Sequence, residues 1–292
     1  MQTRPLGPGA PAVSVVGFGG MPLSIPGRPD DEAAAIRVIL AALDAGMTLI
    51  DTADVYCLDD TDIGHNERLV AKALRSWGGH RDGIVVATKG GLTRPNGGWE
   101  RDGRPEQLRA ACERSLRSLA VECIDLYQLH APDARVPLTD SVGALADLRR
   151  EGKIRWIGLS NVSVEEIEQA RAIVPVVTVQ NRLNPFFREA IETGVVARCA
   201  EHGIGFLAYS PVGGGRLNKK LPSMTALQPI AEAHGASAHA VVLAWVLVQG
   251  PTVIIIPGAR TVEHAVDAAG AANIVLSAGD IAALDAAEFS RA

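Results

Sequence analysis

The sequence predicts an α/β protein of the (β/α)8 TIM-barrel class, and three observations carry that prediction. Short β-rich apolar runs alternate with amphipathic stretches from one end of the 292 residues to the other. Runs such as IVVATK and TVIII are continuously apolar rather than alternating, as expected of parallel strands covered on both faces. The connections are short enough to demand right-handed crossovers, and eight such units close naturally into a barrel. A doubly wound sheet is the rival architecture, but it would bring its own nucleotide fingerprint and usually fewer strands.

In chain order, strands are expected over 13–18, 47–51, 84–89, 124–129, 154–159, 176–180, 205–209 and 252–256. Amphipathic helices are expected between and after them, over 31–45, 66–77, 105–119, 138–151, 164–173, 194–202, 226–248 (broken at Gly235) and 262–269. Asp30, Thr139, Ser163 and Thr261 stand where helix N-caps belong. No Pro/Ser-rich linker or shift in composition divides the chain. Residues 1–292 therefore read as one domain, with a lead-in over about 1–12 and a helical extension over about 277–292.

One motif needs weighing. GFGGMP (17–22) follows a strand and begins like a dinucleotide fingerprint, but Pro22 occupies the position of the third glycine. No acidic residue closes a second strand at the expected distance. A tight turn at the end of the first strand explains the motif equally well.

Composition narrows the class further. A hydrophobic fraction of 47% with 21% charged residues describes a globular chain with a large core. The formal net charge of −5 argues against a nucleic-acid surface, which would be basic. The longest apolar run, 240–248, is far short of the roughly 20 residues that span a bilayer. The N-terminus is broken by Pro and Gly before a signal-peptide core can form. Cys57, Cys112, Cys123 and Cys199 lack any ligand spacing and fit reduced thiols, so a cytoplasmic protein without a bound metal is expected.

Chemistry in a barrel collects at the C-terminal strand ends. Those ends are Asp51, Lys89, His130, Ser160 with Asn161, Gln180, Tyr209 with Ser210, and Pro257 with Gly258. Lys89 is the most informative, because the chain has only five lysines and this one ends one of its most apolar strands. A lysine partly buried in a barrel needs a carboxylate partner, and a neighbouring strand ends in Asp51. Taken singly, His130 reads as a rim residue, Tyr56 as a packing residue and Asp51 as a cap. Together they read as a general-acid assembly. A cation close to a phenol lowers its pKa from about 10, the carboxylate keeps the lysine charged, and a neutral imidazole orients a carbonyl.

The segments DTADVY (51–56), GHNERLV (64–70), VVATKGG (85–91), DLYQLHAPD (125–133), GKIRWIGLSN (152–161) and IPGART (256–261) together resemble the aldo-keto reductase family, in order over about residues 13–287. The resemblance implies a (β/α)8 barrel and hydride transfer between a nicotinamide cofactor and an aldehyde, ketone or the corresponding alcohol. It implies catalytic roles for Tyr56, Asp51, Lys89 and His130. It places Ser160, Asn161 and Gln180 at the nicotinamide carboxamide and Tyr209 against the nicotinamide ring. Ser210 and Pro211 lead into a diphosphate loop that includes Gly213 and Arg216, and Gly20 and Met21 lie where the first loop meets the cofactor. Pro257, Gly258, Ala259 and Arg260 sit at the adenosine 2′-phosphate. The glycine amides and basic residues of SPVGGGRLNKK (210–220) make a plausible phosphate cradle on their own chemistry as well.

Where the family's clamp continues into an arginine and a Glu-Asn pair, this chain has His264, Asp267 and Ala268. Arg260 can compensate by taking a phosphate bidentately, so NADP(H) is the expected cofactor, with NAD(H) as the alternative. The expected partner is a small-molecule carbonyl or alcohol, with neither nucleic acid nor membrane; the oligomeric state stays open. Trp99 is a candidate wall of the substrate pocket, and the acids Asp59, Asp60 and Asp62 are expected to face water. Two rival functions stand beside the reductase: a cofactor-binding regulatory subunit, and a Schiff-base lyase using Lys89.

Overall fold

The computed structural model describes residues 1–290. An antiparallel hairpin of β1 (Thr3–Pro5) and β2 (Ala12–Ser14) comes first. The barrel begins with β3 (Phe18–Gly19), β4 (Leu49–Asp51) and β5 (Val85–Gly90). A second small hairpin, β6 (Leu92–Thr93) with β7 (Glu100–Arg101), rises directly from the end of β5. The barrel then continues through β8 (Ile124–Leu129), β9 (Ile154–Ser160), β10 (Val176–Arg182), β11 (Gly205–Tyr209) and β12 (Val253–Ile256). These eight barrel strands form one parallel sheet in sequential order.

The sheet closes on itself where Val16 and Gly19 bridge to Ile255 and Gly258. There the Gly19 amide donates to the Pro257 carbonyl at 2.9 Å. A Cβ on Gly19 would lie 2.7 Å from the Ile256 carbonyl oxygen, so only glycine lets the first and last strands meet. GFGGMP is thus a closure point, and a short 3-10 turn (Met21–Leu23) follows it.

Helices α1 (Glu32–Asp44), α2 (His65–Ser76), α3 (Pro105–Leu119), α4 (Leu138–Arg150) and α5 (Val164–Arg171) cover the first half of the barrel. Short α6 (Glu189–Glu192), α7 (Val195–Glu201) and α8 (Gln228–Ala233), then α9 (Ala238–Leu247) and α10 (Val262–Gly270), cover the rest. In α9 every residue from Ala240 to Leu247 is buried, which suits an apolar helix packed on both sides. The expected C-terminal extension contains α11 (Ala278–Ala286), and its final residues 291–292 lie outside the described residues.

Several local expectations shift by a residue or fail. The α1 cap is Asp31, accepting from the Ala34 amide, rather than Asp30. Ser163 and Thr261 cap as expected, whereas α4 starts after Pro137 with no side-chain cap from Thr139. The apolar run 13–18 is two structures rather than one strand. Its first part belongs to the N-terminal hairpin and only its end enters the barrel.

That hairpin explains how the barrel is plugged. Leu6 and Val13 pack into the interior with Leu49, Val85, Ala87, Leu126, Val177, Leu207 and Ile254. Strand alternation then carries the inward positions upward, from Leu49 to Asp51, from Ala87 to Lys89 and from Leu126 to Gln128. The interior therefore changes from an apolar floor to a polar layer at the C-terminal mouth. Lys89 and Gln128 are paired across β5 and β8. Gly158 makes room for this layer, since a Cβ there would meet Thr178 Oγ1 at 2.2 Å and Gln128 Cγ at 2.9 Å. No helix among the described residues is long and apolar enough to cross a membrane.

Candidate active site

Lys89 is completely buried, and its ammonium has three partners. It donates to Asp51 Oδ1 at 2.6 Å, to the Thr52 carbonyl at 2.9 Å and to the Tyr56 hydroxyl at 3.0 Å. Asp51 is fixed from the other side by Gln180 Nε2 at 2.6 Å and more weakly by Gln128 Nε2 at 3.4 Å. Tyr56, in the loop after β4, lies beside the strand-end residues Asp51, Lys89 and His130: its ring is 5.8 Å from the His130 ring, edge-on.

The electrostatics follow from burial opposed by partners. Burial would lower the Lys89 pKa, but Asp51 and Tyr56 more than offset it, so the ammonium is held above its ordinary value. For Tyr56 the balance runs against the simple expectation. Burial raises the phenol, Lys89 pulls it down, and the net direction is up. The lysine offsets part of the burial effect, but the phenol stays less acidic than free tyrosine. His130 is pushed well below the usual histidine range by burial and then by the Lys89 charge, so it is a neutral imidazole at physiological pH.

The cofactor candidates cluster on the same rim. Asn161 spans three elements: its Nδ2 donates to the His130 carbonyl at 3.0 Å and to Ser160 Oγ at 3.1 Å, while its Oδ1 accepts from the Tyr209 hydroxyl at 2.8 Å. Asn161 and Ser210 both adopt left-handed backbone, with φ of 59° and 48°; among the described residues only Asn96 and Ala120 otherwise do so without being glycine. Backbone of this kind persists where the surroundings demand it, and ligand sites are the common reason. After Ser210 and buried Pro211 come Gly213, Gly214 and Gly215 at φ of 88°, 63° and 33°. The Gly213 amide donates to the Ser210 carbonyl at 2.8 Å, forming a tight turn ahead of exposed Arg216.

Other expected contacts sit differently. Gln180 spends its amide nitrogen on Asp51. Arg260 reaches back to the first loop, donating from Nη2 to the Pro26 carbonyl at 3.1 Å, beside Gly27. Pro22 packs on Gly258, where a Cβ would meet it at 2.5 Å, and Ala259 is buried beside Pro257. His264 serves the start of α10 through its backbone amide, and Asp267 accepts from Ser237 Oγ at 2.7 Å. Gly20 is locked under Asn66, whose Nδ2 donates to its carbonyl at 2.8 Å, and Met21 packs against the Tyr56 cluster. In the acidic loop, Asp59 caps a short turn through Thr61, and Asp62 pairs with Arg68. Cys57 is buried, and burial pushes its thiol up to about 11. Trp99 stands half-exposed with its ring 6.5 Å from that of Tyr56.

Sequence reasoning missed Gln128, Thr52 and Asn66. Gln128 lies inside an apolar run, where only strand alternation would have marked it as inward-facing. Thr52 and Asn66 join the Asp51 turn to α2 through a buried 2.6 Å hydrogen bond, a pairing that nothing in their spacing announces.

A closed (β/α)8 barrel whose mouth holds a buried lysine between a carboxylate and a phenol, with a neutral histidine beside the phenol, is the architecture of one class of oxidoreductase. Comparison with known proteins agrees, and the chain belongs to the aldo/keto reductase family, whose model matches residues 15–288. It is 32% identical to the aldo-keto reductase str7 of Strobilurus tenacellus over 97% of this chain and 91% of that protein. Its fold superimposes on the glycerol dehydrogenase of Gluconobacter oxydans with a TM-score of 0.83 at 32% identity, covering 97% of this chain and 93% of the other. An aldo-keto reductase of Klebsiella pneumoniae, solved in complex with NADPH, matches with a TM-score of 0.80 at 31% identity, covering 98% and 95%.

Proposed function

We propose that this protein is an NADP(H)-dependent carbonyl reductase in which Tyr56 is the proton donor. The observation that carries the reading is the Asp51–Lys89–Tyr56 chain of short contacts, buried throughout and ending on a phenol at the barrel mouth. The rim residues fit a nicotinamide dinucleotide: a prealigned carboxamide at Asn161, an aromatic at Tyr209, a glycine turn with Arg216, and Arg260 at the far edge. Bound cofactor would supply the hydride that a carbonyl carbon accepts. His130 and Tyr56 bind the carbonyl oxygen, and Tyr56 Oη releases its proton as that oxygen becomes an alcohol. Lys89 stabilises the phenolate left behind, and Asp51 keeps the lysine charged and in place. In the alcohol-oxidising direction the same phenolate takes the proton back.

NADP(H) is preferred over NAD(H) because Arg260 can grip a 2′-phosphate once it releases the Pro26 carbonyl. A Schiff-base role for Lys89 is disfavoured, since that chemistry needs a neutral amine and Lys89 is held protonated by its partners. The test is oxidation of NADPH and NADH by the purified protein across a panel of aldehydes and ketones, with equilibrium titration of both cofactors. The reading predicts turnover of several aldehydes and tighter NADPH binding. No cofactor oxidation with any carbonyl would leave the regulatory-subunit reading in its place, and tighter NADH binding would reverse the cofactor preference.

A further inference from the structure

Arg94 is the most unusual charged residue near the mouth. It lies four residues beyond the end of β5, in the turn between β6 and β7, and is only 3% exposed. Among the described residues, carbonyl oxygens and an indole meet its charge, with no carboxylate at salt-bridge distance. Its Nη2 donates to the Leu58 carbonyl at 2.8 Å and to the Cys57 carbonyl at 3.1 Å, and its Nη1 donates to the Gly98 carbonyl at 3.1 Å. The guanidinium carbon sits 3.9 Å from the centre of the Trp99 ring, and the buried Nε has no hydrogen-bond partner. A cation buried on these terms is expensive and is kept where its rigid fork fixes something else in place.

What it fixes is apolar. Leu58 is 39% exposed and Trp99 is 48% exposed, and they are two of the few large apolar side chains that stand in solvent. Arg94 ties the chain on either side of both: the loop that follows Tyr56 and the hairpin turn that carries Trp99. One face of the indole is covered by the guanidinium, which leaves a flat apolar surface facing outward. The indole lies 6.5 Å from the Tyr56 ring and 69° to it. A carbonyl held at Tyr56 would bring its substituent alongside this surface.

We propose that Arg94 is a specificity-determining positioning residue, which clamps residues 57–58 to 98–99 and so holds Trp99 and Leu58 as a rigid wall selecting carbonyl substrates with a flat apolar group, such as aryl aldehydes, over short aliphatic ones. This deepens the carbonyl-reductase reading and rests on it. An unclamped indole on a glycine-rich turn would lose that selectivity, because ordering it would then be charged against each binding event. The planar fork also matters, since lysine cannot reach three carbonyls and stack at once.

The experiment compares benzaldehyde with propanal for the unaltered protein, Trp99→Ala and Arg94→Lys, alongside calorimetric binding of benzyl alcohol, which needs no turnover. Trp99→Ala is expected to lower the benzaldehyde-to-propanal ratio of kcat/KM by about tenfold, chiefly through KM for benzaldehyde. Arg94→Lys is expected to lower it by about fivefold, with a matching loss of benzyl alcohol affinity. An exposed indole is removed without disturbing the core, so Trp99→Ala tests the wall on its own, and a folded Arg94→Lys with an unchanged ratio would overturn the clamp. Equal losses for both aldehydes, or an unchanged ratio and unchanged benzyl alcohol binding, would overturn the wall. No turnover by the unaltered protein would sink the reductase reading alone, and benzyl alcohol binding would still decide the wall.

Discussion

Asp51 and Asp54 stand three residues apart in one turn, both buried, and their surroundings are opposite. Asp51 has a lysine at 2.6 Å, a glutamine amide at 2.6 Å and a second glutamine at 3.4 Å. Asp54 has neither carboxyl oxygen in a side-chain hydrogen bond, and its nearest cation is Arg114 at 3.6 Å. Burial, followed by the neighbouring Glu67, holds the Asp54 carboxyl well above the usual carboxylate range. Glu67 is raised as well, by burial, although it accepts from Thr88 at 2.6 Å. In the first cluster each polar group has a partner; in the second, burial without matching partners biases Asp54 and Glu67 toward the protonated form. Only the first can pass an electrostatic influence on to Tyr56 without rearranging.

The sharpest way to break that contrast is Lys89→Met. It leaves Asp51 as a buried carboxylate without its counter-ion, and a loss of about 3–5 kcal/mol is expected. Urea denaturation would read it, together with a collapse of carbonyl reduction. A loss below about 1 kcal/mol would mean that Asp51 is protonated or reaches water.

Asp54→Asn should do the reverse. A group whose folded pKa is raised stabilises the fold at low pH and withdraws that contribution as pH rises above its unfolded value near 4. The unaltered protein should therefore lose stability on this account as pH climbs through the weakly acidic range. The asparagine variant should lose less, gaining on the order of 1 kcal/mol near about pH 8. Urea midpoints at two pH values would show it, and equal losses would mean that Asp54 is ionised in the fold.

The smallest effect concerns His130, whose folded pKa is lowered. The unfolded chain then binds the extra proton, so stability falls as pH drops below about 6.5. His130→Gln should reduce that acid-side loss by up to about 1 kcal/mol, and an unchanged loss would show that the imidazole is not held neutral.

Much of this architecture is legible in the residues, and the reasons are physical. Lys89 is visible because a charge ending an apolar strand demands explanation, and the explanation names Asp51. The alternation of elements is visible because parallel strands buried on both faces cannot look like anything amphipathic. Other features leave no such trace. Asp51 and Asp54 are the same residue type in one hexapeptide, and only the end of β4 at Asp51 decides which one faces the barrel. Val15 and Val16 prolong an apolar run across the join between hairpin and barrel, so two short strands look like one in the residues. Arg94 looks like any loop arginine until three carbonyls and an indole converge on it. The sign of the Tyr56 shift depended on a balance of burial against charge that residue types alone do not weigh.

The most direct test of the central claim is Tyr56→Phe, measured for aldehyde reduction and for NADPH binding through the protein's tryptophan fluorescence. The phenylalanine keeps the ring and its packing and removes only the proton donor. A drop in turnover of at least roughly a hundredfold, with NADPH affinity close to that of the unaltered protein, is the predicted result. Turnover retained within about tenfold would contradict Tyr56 as the acid at the end of the Asp51–Lys89 chain.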